Sequence, residues 1–276
     1  MEHTIVLTIS NLSEERREIL MALLAEQGFE AFEEQESTLV SCISESQFDL
    51  TATKDVLQDY TNDYSIETVA PRNWNAEWEQ QYQPVILNDF AGIRADFHPP
   101  LMGVEYEIVI TPKMSFGTGH HATTRLMMQA MKHVDFTAKK VFDFGTGTGV
   151  LAILASMLGA THTDAVDIDD WVVDNALENI EKNNKHNIRA FVGAEPIQNE
   201  QYDVVIANIN RHILLEHMLS MRAVLKSDGY LLMSGFYEED IPVLEAAANT
   251  VGLHISSSDL QDRWACLVLQ TKSQES

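Results

Sequence analysis

Cysteine is scarce in this chain of 276 residues, and long hydrophobic runs are absent. Its two cysteines, Cys42 and Cys266, lie far apart with no metal-ligand spacing around either, which argues against a structural zinc site and fits a reducing compartment. No apolar run reaches the roughly 18 residues of a membrane span, and Met1-Glu2-His3 is not a basic region followed by an apolar one. The sequence therefore predicts a cytoplasmic protein that neither enters a membrane nor is exported, and it predicts no bound metal.

Basic side chains are also few, 18 against 42 acidic ones, which gives a formal net charge of −24. A field of that sign repels phosphate backbones and attracts basic partners, so nucleic acid is a poor substrate. The imbalance is steepest in residues 1–60, where 13 acids face only Arg16, Arg17 and Lys54. A basic protein partner is one interpretation, and an acidic surface tuned for solubility is the other.

The length favours about two domains, and 45% apolar residues can fill their cores. Residues 1–70 show the order strand, helix, strand, strand, helix, strand, which is that of a small α+β ferredoxin-like domain. Ser13 is placed to cap the first helix, and Gly28 is placed to end it. The expected strands cover 4–9, 29–32, 39–43 and 64–69, and the second expected helix covers 47–57.

Residues 71–98 are predicted to form a linker. Pro71 breaks the preceding pattern, and Trp74, Trp78 and Tyr82 follow at spacings of four. On a helix these three rings would form one stripe, which is more typical of a packing face than of a ligand site.

From residue 140 onward, predicted strands and helices alternate regularly. Strands are expected at 141–144, 163–166, 189–192, 203–207 and 230–234, and helices at 149–158, 171–183, 212–225 and 239–251. Such alternation predicts a doubly wound parallel sheet of the Rossmann-like class. The last two strands, 254–258 and 264–271, have no helix between them, so they should form an antiparallel hairpin. The second domain is accordingly placed at 99–276.

The run 141–151 reads as a strand, a tight turn and the start of a helix. Gly145, Gly147 and Gly149 permit a left-handed backbone and the close approach of a ligand to the main chain. A dinucleotide-binding turn needs its third glycine at the sixth position, where this chain has Val150, so NAD is disfavoured. Gly-x-Gly-x-Gly after an acid is instead typical of S-adenosylmethionine-dependent methyltransferases, and a turn without any ligand is the alternative.

Two acids lie beside this turn. Asp167 ends the next strand, 18 residues after Gly149, where a carboxylate can accept hydrogen bonds from both hydroxyls of a ribose. Asp143 stands just before the turn and is expected to hold the turn's backbone or the ammonium group of a ligand. Both acids, together with Gly145 and Gly147, are candidate cofactor contacts.

Asn208 follows the fourth strand of the predicted sheet. Ligands bind at the carboxyl edge of an open parallel sheet, and an amide oxygen there can accept a hydrogen bond from a substrate amine. The backbone carbonyl of Ile209 is a second candidate acceptor. These two groups are the predicted catalytic pair, although an asparagine at a strand end is as often a turn residue.

The segment 114–124 carries two glycines and four hydroxyl side chains ahead of a predicted helix at 125–133. Such a loop can be held against a polar ligand, and Phe116, Gly117 and Thr118 are its candidate cofactor contacts. The two adjacent histidines of this segment have no carboxylate at helical spacing, so loop or cap roles are favoured over a metal site.

With these residues in view, the chain resembles the PrmA family, the ribosomal protein L11 methyltransferases, over nearly its whole length. The resemblance includes the acidic N-terminal domain, the glycine turn, and the stretches 73–78, 116–119, 123–124, 166–169, 207–209, 234–236 and 264–269. The stretch before the glycine turn is the most specific, because methyltransferases in general lack it. In that family the stretch usually ends in Thr-His-Pro-Thr-Thr, and here His120 and Ala122 stand for the first threonine and the proline.

The resemblance implies that Thr124, Gly145, Asp167 and Asn208 contact S-adenosylmethionine, which leaves as S-adenosylhomocysteine. It also implies that the N-terminal domain recognises ribosomal protein L11, and that lysine side chains or the N-terminal amine of that protein are methylated. A methyltransferase of another basic protein or of nucleic acid is one alternative, and an S-adenosylmethionine-binding module without catalysis is another. A monomer is favoured.

Overall fold

The computed structural model describes residues 3–35, 37–69, 82–113, 115–196 and 200–271. The chain divides into two compact units, 1–81 and 82–276. Within the described ranges, no helix is both long enough and apolar enough to cross a membrane.

The first unit has the predicted order strand, helix, strand, strand, helix, strand. Its elements are β1 (Thr4–Ile9), α1 (Glu14–Glu26), β2 (Glu30–Gln35), β3 (Thr38–Ser44), α2 (Leu50–Leu57) and β4 (Tyr64–Val69). The strands form one antiparallel sheet in the order β2-β3-β1-β4. The predicted ferredoxin-like fold is therefore confirmed.

Both helices of this unit begin at a side-chain cap. The predicted cap Ser13 accepts a hydrogen bond from the backbone N–H of Arg16. Asp49 accepts from the backbone N–H groups of Thr51 and Ala52, at 2.8 and 3.1 Å. These caps satisfy N–H groups that a helix start leaves without partners, and the apolar faces of the helices and the sheet then share one buried cluster.

A three-stranded sheet opens the second unit. It consists of β5 (Val85–Leu87), β6 (Ala91–Ala95) and β7 (Tyr106–Ile110), with β5 antiparallel and β7 parallel to β6. Two of these strands lie within 71–98, the predicted linker, so the second unit begins at residue 82 rather than 99. At three to five residues, the strands are too short for a clear alternation of apolar and polar residues. The expected helix that would carry Trp74 and Trp78 lies outside the described residues.

The rest of the second unit is a seven-stranded sheet with helices on both faces. Its strands are β8 (Lys140–Phe144), β9 (His162–Asp167), β10 (Ile188–Val192), β11 (Tyr202–Asn208), β12 (Leu225–Tyr237), β13 (Leu253–Gln261) and β14 (Trp264–Thr271). Its helices are α3 (Ala122–Met131), α4 (Val150–Met157), α5 (Asp170–Lys182), α6 (Arg211–Ala223) and α7 (Ile241–Thr250).

The strand order of this sheet is β10-β9-β8-β11-β12-β14-β13. The pairs from β10 to β12 are parallel, and β14 is antiparallel to both of its neighbours. The predicted doubly wound sheet with an antiparallel last strand is confirmed. The order reverses between β8 and β11, which opens a crevice at the carboxyl ends of these two strands.

The core lies on both faces of the sheet, because its strands alternate between two apolar clusters. Val141 and Val204 belong to the cluster that contains residues of α3 and α4. Phe142 and Val205 belong to the cluster that contains residues of α6 and α7. A sheet buried on both faces requires nearly continuous apolar strands, and this is the pattern that predicted it.

β12 is longer than the predicted strand 230–234. The polar run 226–229 has the composition of a turn, yet Leu225 pairs with Tyr202 of β11. A register shift before Val204 absorbs the irregularity and lets the strand continue. The sequence pattern could not predict this extension, because it depends on the neighbouring strand.

A buried carboxylate, Asp164 of β9, joins three neighbouring side chains. It accepts hydrogen bonds from the Tyr202 hydroxyl at 2.7 Å and from Nε of Arg189 at 2.8 Å, and it lies 2.9 Å from Nε2 of His162. Burial acts to raise the pKa of Asp164, but the bonds from Arg189 and Tyr202 outweigh burial and hold this pKa below its ordinary value of 3.8. The carboxylate therefore stabilises the fold above its ordinary pKa, and this contribution is lost as the pH falls through the folded-state pKa.

Asp164→Asn should destabilise the second unit by about 2–3 kcal/mol, because an amide cannot accept from all of these donors. Urea denaturation at neutral pH measures the loss. The exposed Asp174 of α5 offers a control, since Asp174→Asn should change the unfolding free energy by less than about 0.5 kcal/mol. An Asp164→Asn protein as stable as this control would contradict the role of the network.

Candidate active site

The glycine turn that follows β8, residues 145–149, adopts a left-handed backbone. Gly145, Gly147 and Gly149 have φ values of 76°, 56° and 80°, in a region that residues with a side chain rarely enter. The N–H groups of Gly145 and Thr146 both donate to the Val166 carbonyl, each at 2.9 Å. The turn is thereby fixed to the end of β9.

At two of these positions a side chain larger than that of glycine would not fit. A Cβ on Gly147 would collide with the carbonyl oxygen of Phe116, and a Cβ on Gly145 would collide with the side chain of Ile209. Phe116 belongs to the loop 115–121, and Ile209 follows β11. The glycine turn is therefore the place where both segments contact the end of β8.

Thr148 holds the loop 115–121 against the turn. Its backbone N–H donates to the Phe116 carbonyl at 2.9 Å, and its hydroxyl donates to the Gly117 carbonyl at 2.8 Å. The Thr118 hydroxyl instead pairs with the ring of His120 at 3.2 Å, which is the loop role predicted for that histidine. The structure thus brings Phe116 and Gly117 to the turn but not the Thr118 side chain.

Asp167 lies at the end of β9, as predicted. Its Oδ2 accepts from the Gly147 N–H at 3.0 Å, and its Oδ1 accepts from the Ile168 N–H at 2.9 Å. The side chain is half-buried. The carboxylate therefore uses two of the hydrogen bonds that it can accept to hold the turn and the start of the next segment. Its remaining lone pairs are available to a ligand.

Asp143 lies beneath the turn and is buried. Its Oδ2 accepts from the Thr146 hydroxyl at 2.6 Å. Burial raises the pKa of Asp143 to about 7, the bond from Thr146 opposes the rise, and the nearby charge of Asp167 adds to it. Asp143 holds the turn through the Thr146 side chain, as a support below the site.

Helix α3 begins earlier than predicted because His121 caps it. The His121 Nδ1 lies 3.3 Å from the Thr123 N–H and 2.8 Å from the Thr123 hydroxyl, which confirms the predicted cap role. Burial lowers the pKa of His121, and the charge of Arg125 lowers it further. The ring is therefore neutral at pH 7 and carries its proton on Nε2, since Nδ1 accepts from a backbone N–H.

Four buried side chains around the turn have an oxygen without a hydrogen-bond partner in the described parts of the chain: Ser115, Thr124, Asp143 and Asn208. Asn208, the last residue of β11, is 9% exposed, and its Oδ1 is unpaired. Thr124 of α3 is 1% exposed, and its Oγ1 is unpaired. Because buried polar atoms nearly always have a partner, the unpaired oxygens of Ser115, Thr124 and Asn208, which line spaces at this edge of the sheet, indicate a ligand.

The main chain after Asn208 is held by β12. The Ile209 N–H donates to the Ser234 carbonyl at 3.2 Å. Gly235 has a φ of 98° at a bulge in β12, and a Cβ there would collide with the Ile209 carbonyl. The close approach of β12 therefore fixes the peptide group that carries the second predicted acceptor.

A cavity of about 650 Å³ opens at this edge of the sheet. The predicted site residues that line it are Phe116, Gly145, Gly147, Asp167, Asn208 and Ile209. Gly117 and Thr124 line a small adjoining space that shares the glycine turn and Asn208. Among the described residues that line these two spaces, Asp143 and Thr118 do not occur.

Ring side chains that the sequence pattern did not single out as site residues also line the cavity. They are His121, Phe144, Trp171, His217 and Trp264. The ring centroid of Trp264 lies 4.6 Å from that of His121 and 4.2 Å from that of Tyr237. Because β14 runs antiparallel to β12, its first residue lies at the carboxyl edge of the parallel strands, and this topology is the signal that could have predicted Trp264.

Known proteins resemble this chain in both sequence and structure. The family model described as Ribosomal protein L11 methyltransferase (PrmA) matches residues 5–272. A ribosomal protein L11 methyltransferase of Phocaeicola vulgatus is 38% identical over 271 residues, which cover 95% of this chain and 96% of the relative. One of Porphyromonas gingivalis is 40% identical over 258 residues, which cover 91% of this chain and 89% of the relative. The crystal structure of a ribosomal protein L11 methylase from Lactobacillus delbrueckii subsp. bulgaricus matches with a TM-score of 0.64 and 29% identity, covering 70% of this chain and 100% of that one.

Gly147→Ala tests whether the turn needs space as well as backbone freedom. Gly147 and Gly103 both have positive φ, but a Cβ on Gly103 would meet nothing within 4 Å. Gly103→Ala should cost backbone strain alone, about 1–2 kcal/mol. Gly147→Ala should cost about 1–3 kcal/mol more, because its methyl group presses on main-chain atoms. Urea denaturation measures both losses, and equal losses would show that Phe116 does not constrain the turn.

Proposed function

The chain belongs to the PrmA family of ribosomal protein L11 methyltransferases, and we propose that it transfers methyl groups from S-adenosylmethionine to amines of ribosomal protein L11. The observation that carries the proposal is the buried Oδ1 of Asn208, which lines a cavity and has no hydrogen-bond partner among the described residues. The glycine turn and the Asp167 carboxylate line the same cavity. A free hydrogen-bond acceptor beside a cavity that can hold a nucleoside suits an enzyme that binds an amine next to its cofactor.

The residues around the cavity fit S-adenosylmethionine. Asp167 keeps lone pairs beyond those that accept from Gly147 and Ile168, and these can accept from the ribose hydroxyls. The unpaired Oγ1 of Thr124 offers a hydroxyl to the polar end of the cofactor. Ile168 and Val172 supply apolar surface in the same cavity, which suits a purine ring. A volume of about 650 Å³ is in the range of small-molecule sites.

The bound cofactor supplies an electrophilic methyl group on a sulfonium. The task of this chain is then to hold a neutral amine in line with that group. Oδ1 of Asn208 accepts a hydrogen bond from one N–H of the amine, and the Ile209 carbonyl accepts from another, so the nitrogen lone pair is directed away from both acceptors. Because methyl transfer makes the nitrogen positive, both acceptors bind the transition state more strongly than the amine.

The attacking amine must first lose a proton. Within the described part of the chain, the titratable residues that line the cavity are His121, Asp167, Asp169 and His217. The two carboxylates are weak bases, and Nδ1 of His121 is used in the helix cap. His217 lies nearly two turns along α6, roughly 10 Å from the start of the helix that follows Asn208 and Ile209, so it is not placed to accept a proton from an amine bound there. We expect the amine to lose its proton to water, because desolvation beside Asn208 lowers the pKa of a lysine from about 10.4.

The acidic N-terminal part of the chain is proposed to recognise the substrate. Residues 1–60 carry 13 acids against three bases, and the first unit has its own apolar core. A negative surface attracts a basic protein and speeds its association, in a manner that salt weakens. The same charge favours the ammonium form of an amine. Negative charge therefore helps to attract the substrate but hinders methylation of its amine. We accordingly assign capture to the acidic N-terminal part and methylation to the cavity.

A methyl-transfer assay tests the proposed function. Labelled S-adenosylmethionine is offered with purified ribosomal proteins one at a time, and mass spectrometry locates the label. We expect label on amines of ribosomal protein L11 alone. Cofactor binding without transfer to any ribosomal protein would overturn the substrate assignment and favour another basic protein or a binding role. Label in nucleic acid would favour a nucleic-acid methyltransferase.

Asn208→Ala should lower the rate of methyl transfer about 100-fold or more, because the transition state loses one acceptor. Single-turnover kinetics at saturating S-adenosylmethionine measures the rate, and calorimetry verifies that the cofactor still binds. The control Asn249→Ala removes an exposed amide from α7 and should leave the rate within about twofold. An unchanged rate in Asn208→Ala, with cofactor bound, would show that the acceptor role is wrong.

A further inference from the structure

Three asparagines repeat at every fourth position on one face of α5 and its cap: Asn175, Asn179 and Asn183. Asn175 and Asn179 are completely buried. A spacing of four places all three amides in one line along the helix, here called the asparagine row. The sequence pattern did not single them out, because isolated asparagines in a helix are more typical of its exposed face.

The asparagine row takes the place of a neighbouring strand along β7, which is an edge of the three-stranded sheet in the described chain. Asn183 donates to the Val109 carbonyl at 2.6 Å and accepts from the Val109 N–H at 2.9 Å. Asn175 donates to the Thr111 carbonyl at 3.2 Å, and Asn179 accepts from the Thr111 N–H at 2.8 Å. Backbone groups that face away from β6 are thereby satisfied by side chains.

Asn179 differs from its two neighbours, because its other end reaches the glycine turn. Its Nδ2 donates to the Thr148 carbonyl at 2.9 Å. The N–H and the hydroxyl of Thr148 bond in turn to Phe116 and Gly117 of the loop 115–121. The N–H, the hydroxyl and the carbonyl of Thr148 are all engaged, two with the loop and one with Asn179.

These hydrogen bonds connect Thr111, which follows β7, with α5, the glycine turn and the loop 115–121. Asn179 connects Thr111 to Thr148, and Thr148 in turn bonds to the loop 115–121, which follows Thr111 closely in sequence. Packing supports the same contact, because a Cβ on Gly149 would lie 3.4 Å from the Cβ of Ala176 on α5. Asn179 thus holds the glycine turn and the start of the loop segment at a fixed separation.

We propose that Asn179 is a positioning residue that sets the cofactor-binding geometry of the glycine turn and the loop 115–121, an inference that rests on the proposed function. Asparagine is suited to this position, because it presents one acceptor and one donor on a short stem, and Thr111 and Thr148 need both at once. In the described structure, Asn179 does not line the cavity, so it acts through the main chain of Thr148 and not by touching a ligand.

Asn179→Asp removes the donor to Thr148 and keeps the acceptor for Thr111. A carboxylate would then face the Thr148 carbonyl and displace the turn. Calorimetric titration with S-adenosylhomocysteine should show a Kd at least about 10-fold higher than that of the parent protein. The KM for S-adenosylmethionine should rise more than kcat falls, because cofactor binding is weakened while the acceptors Asn208 and Ile209 are intact.

Asn183→Asp is the matched control. It makes the same change in the same row and turns a carboxylate toward the carbonyls of Val109 and Asn179, but Asn183 has no bond to the glycine turn in the described structure. Its Kd for S-adenosylhomocysteine should stay within about twofold of the parent value. A parent-like Kd in Asn179→Asp would overturn the inference, and so would an equal loss in both variants. If the parent itself does not bind S-adenosylhomocysteine, the proposed function fails first and the inference falls with it.

A measurement on the parent protein covers the case in which Asn179→Asp does not fold. Amide hydrogen exchange is followed by NMR with and without S-adenosylhomocysteine. The ligand should slow exchange at Thr148 and at Thr111, which Asn179 connects, and should leave Val109 unchanged. Unchanged exchange at Thr111 in the presence of bound ligand would overturn the inference.

Discussion

The second unit depends on chain segments that approach one another closely at glycines. At the glycine turn, the Phe116 carbonyl and the Ile209 side chain occupy the space that a Cβ on Gly147 or Gly145 would fill. The same constraint recurs at Gly235, where β12 reaches the main chain of Ile209. Segments from distant parts of the sequence therefore meet at glycines, and hydrogen bonds from backbone and side-chain groups fix the site.

The cavity has two walls with different origins. One wall carries the glycine turn and Asp167, at the ends of the parallel strands β8 and β9. The other carries Asn208 at the end of β11, Ile209 directly after it, and Trp264 at the start of the antiparallel β14. On the proposed function, the first wall binds the cofactor and the second binds the amine. Related enzymes could then methylate a different substrate by changing residues of the second wall, while the first wall keeps the same cofactor.

The sequence predicted the parts of this site that depend on local pattern. Strands with continuous apolar residues and a glycine-rich turn located Gly145, Asp167 and Asn208, and the structure brings all three to one cavity. Their contacts with a ligand stay predictions. The pattern could not locate Asn179 or Trp264, because the role of each depends on a partner far away in the chain. Such partners are set by the strand order and by helix packing, and the spacing of apolar residues within one segment does not predict either of these.

β14 is the last strand in chain order, yet it lies inside the sheet, between β12 and β13. During synthesis, the facing edges of β12 and β13 have no partner until residues 264–271 have left the ribosome. The parallel strands β8 to β12 are complete earlier and can pair first. The wall that carries Trp264 is therefore assembled last, after the parallel strands that carry the glycine turn and Asp167.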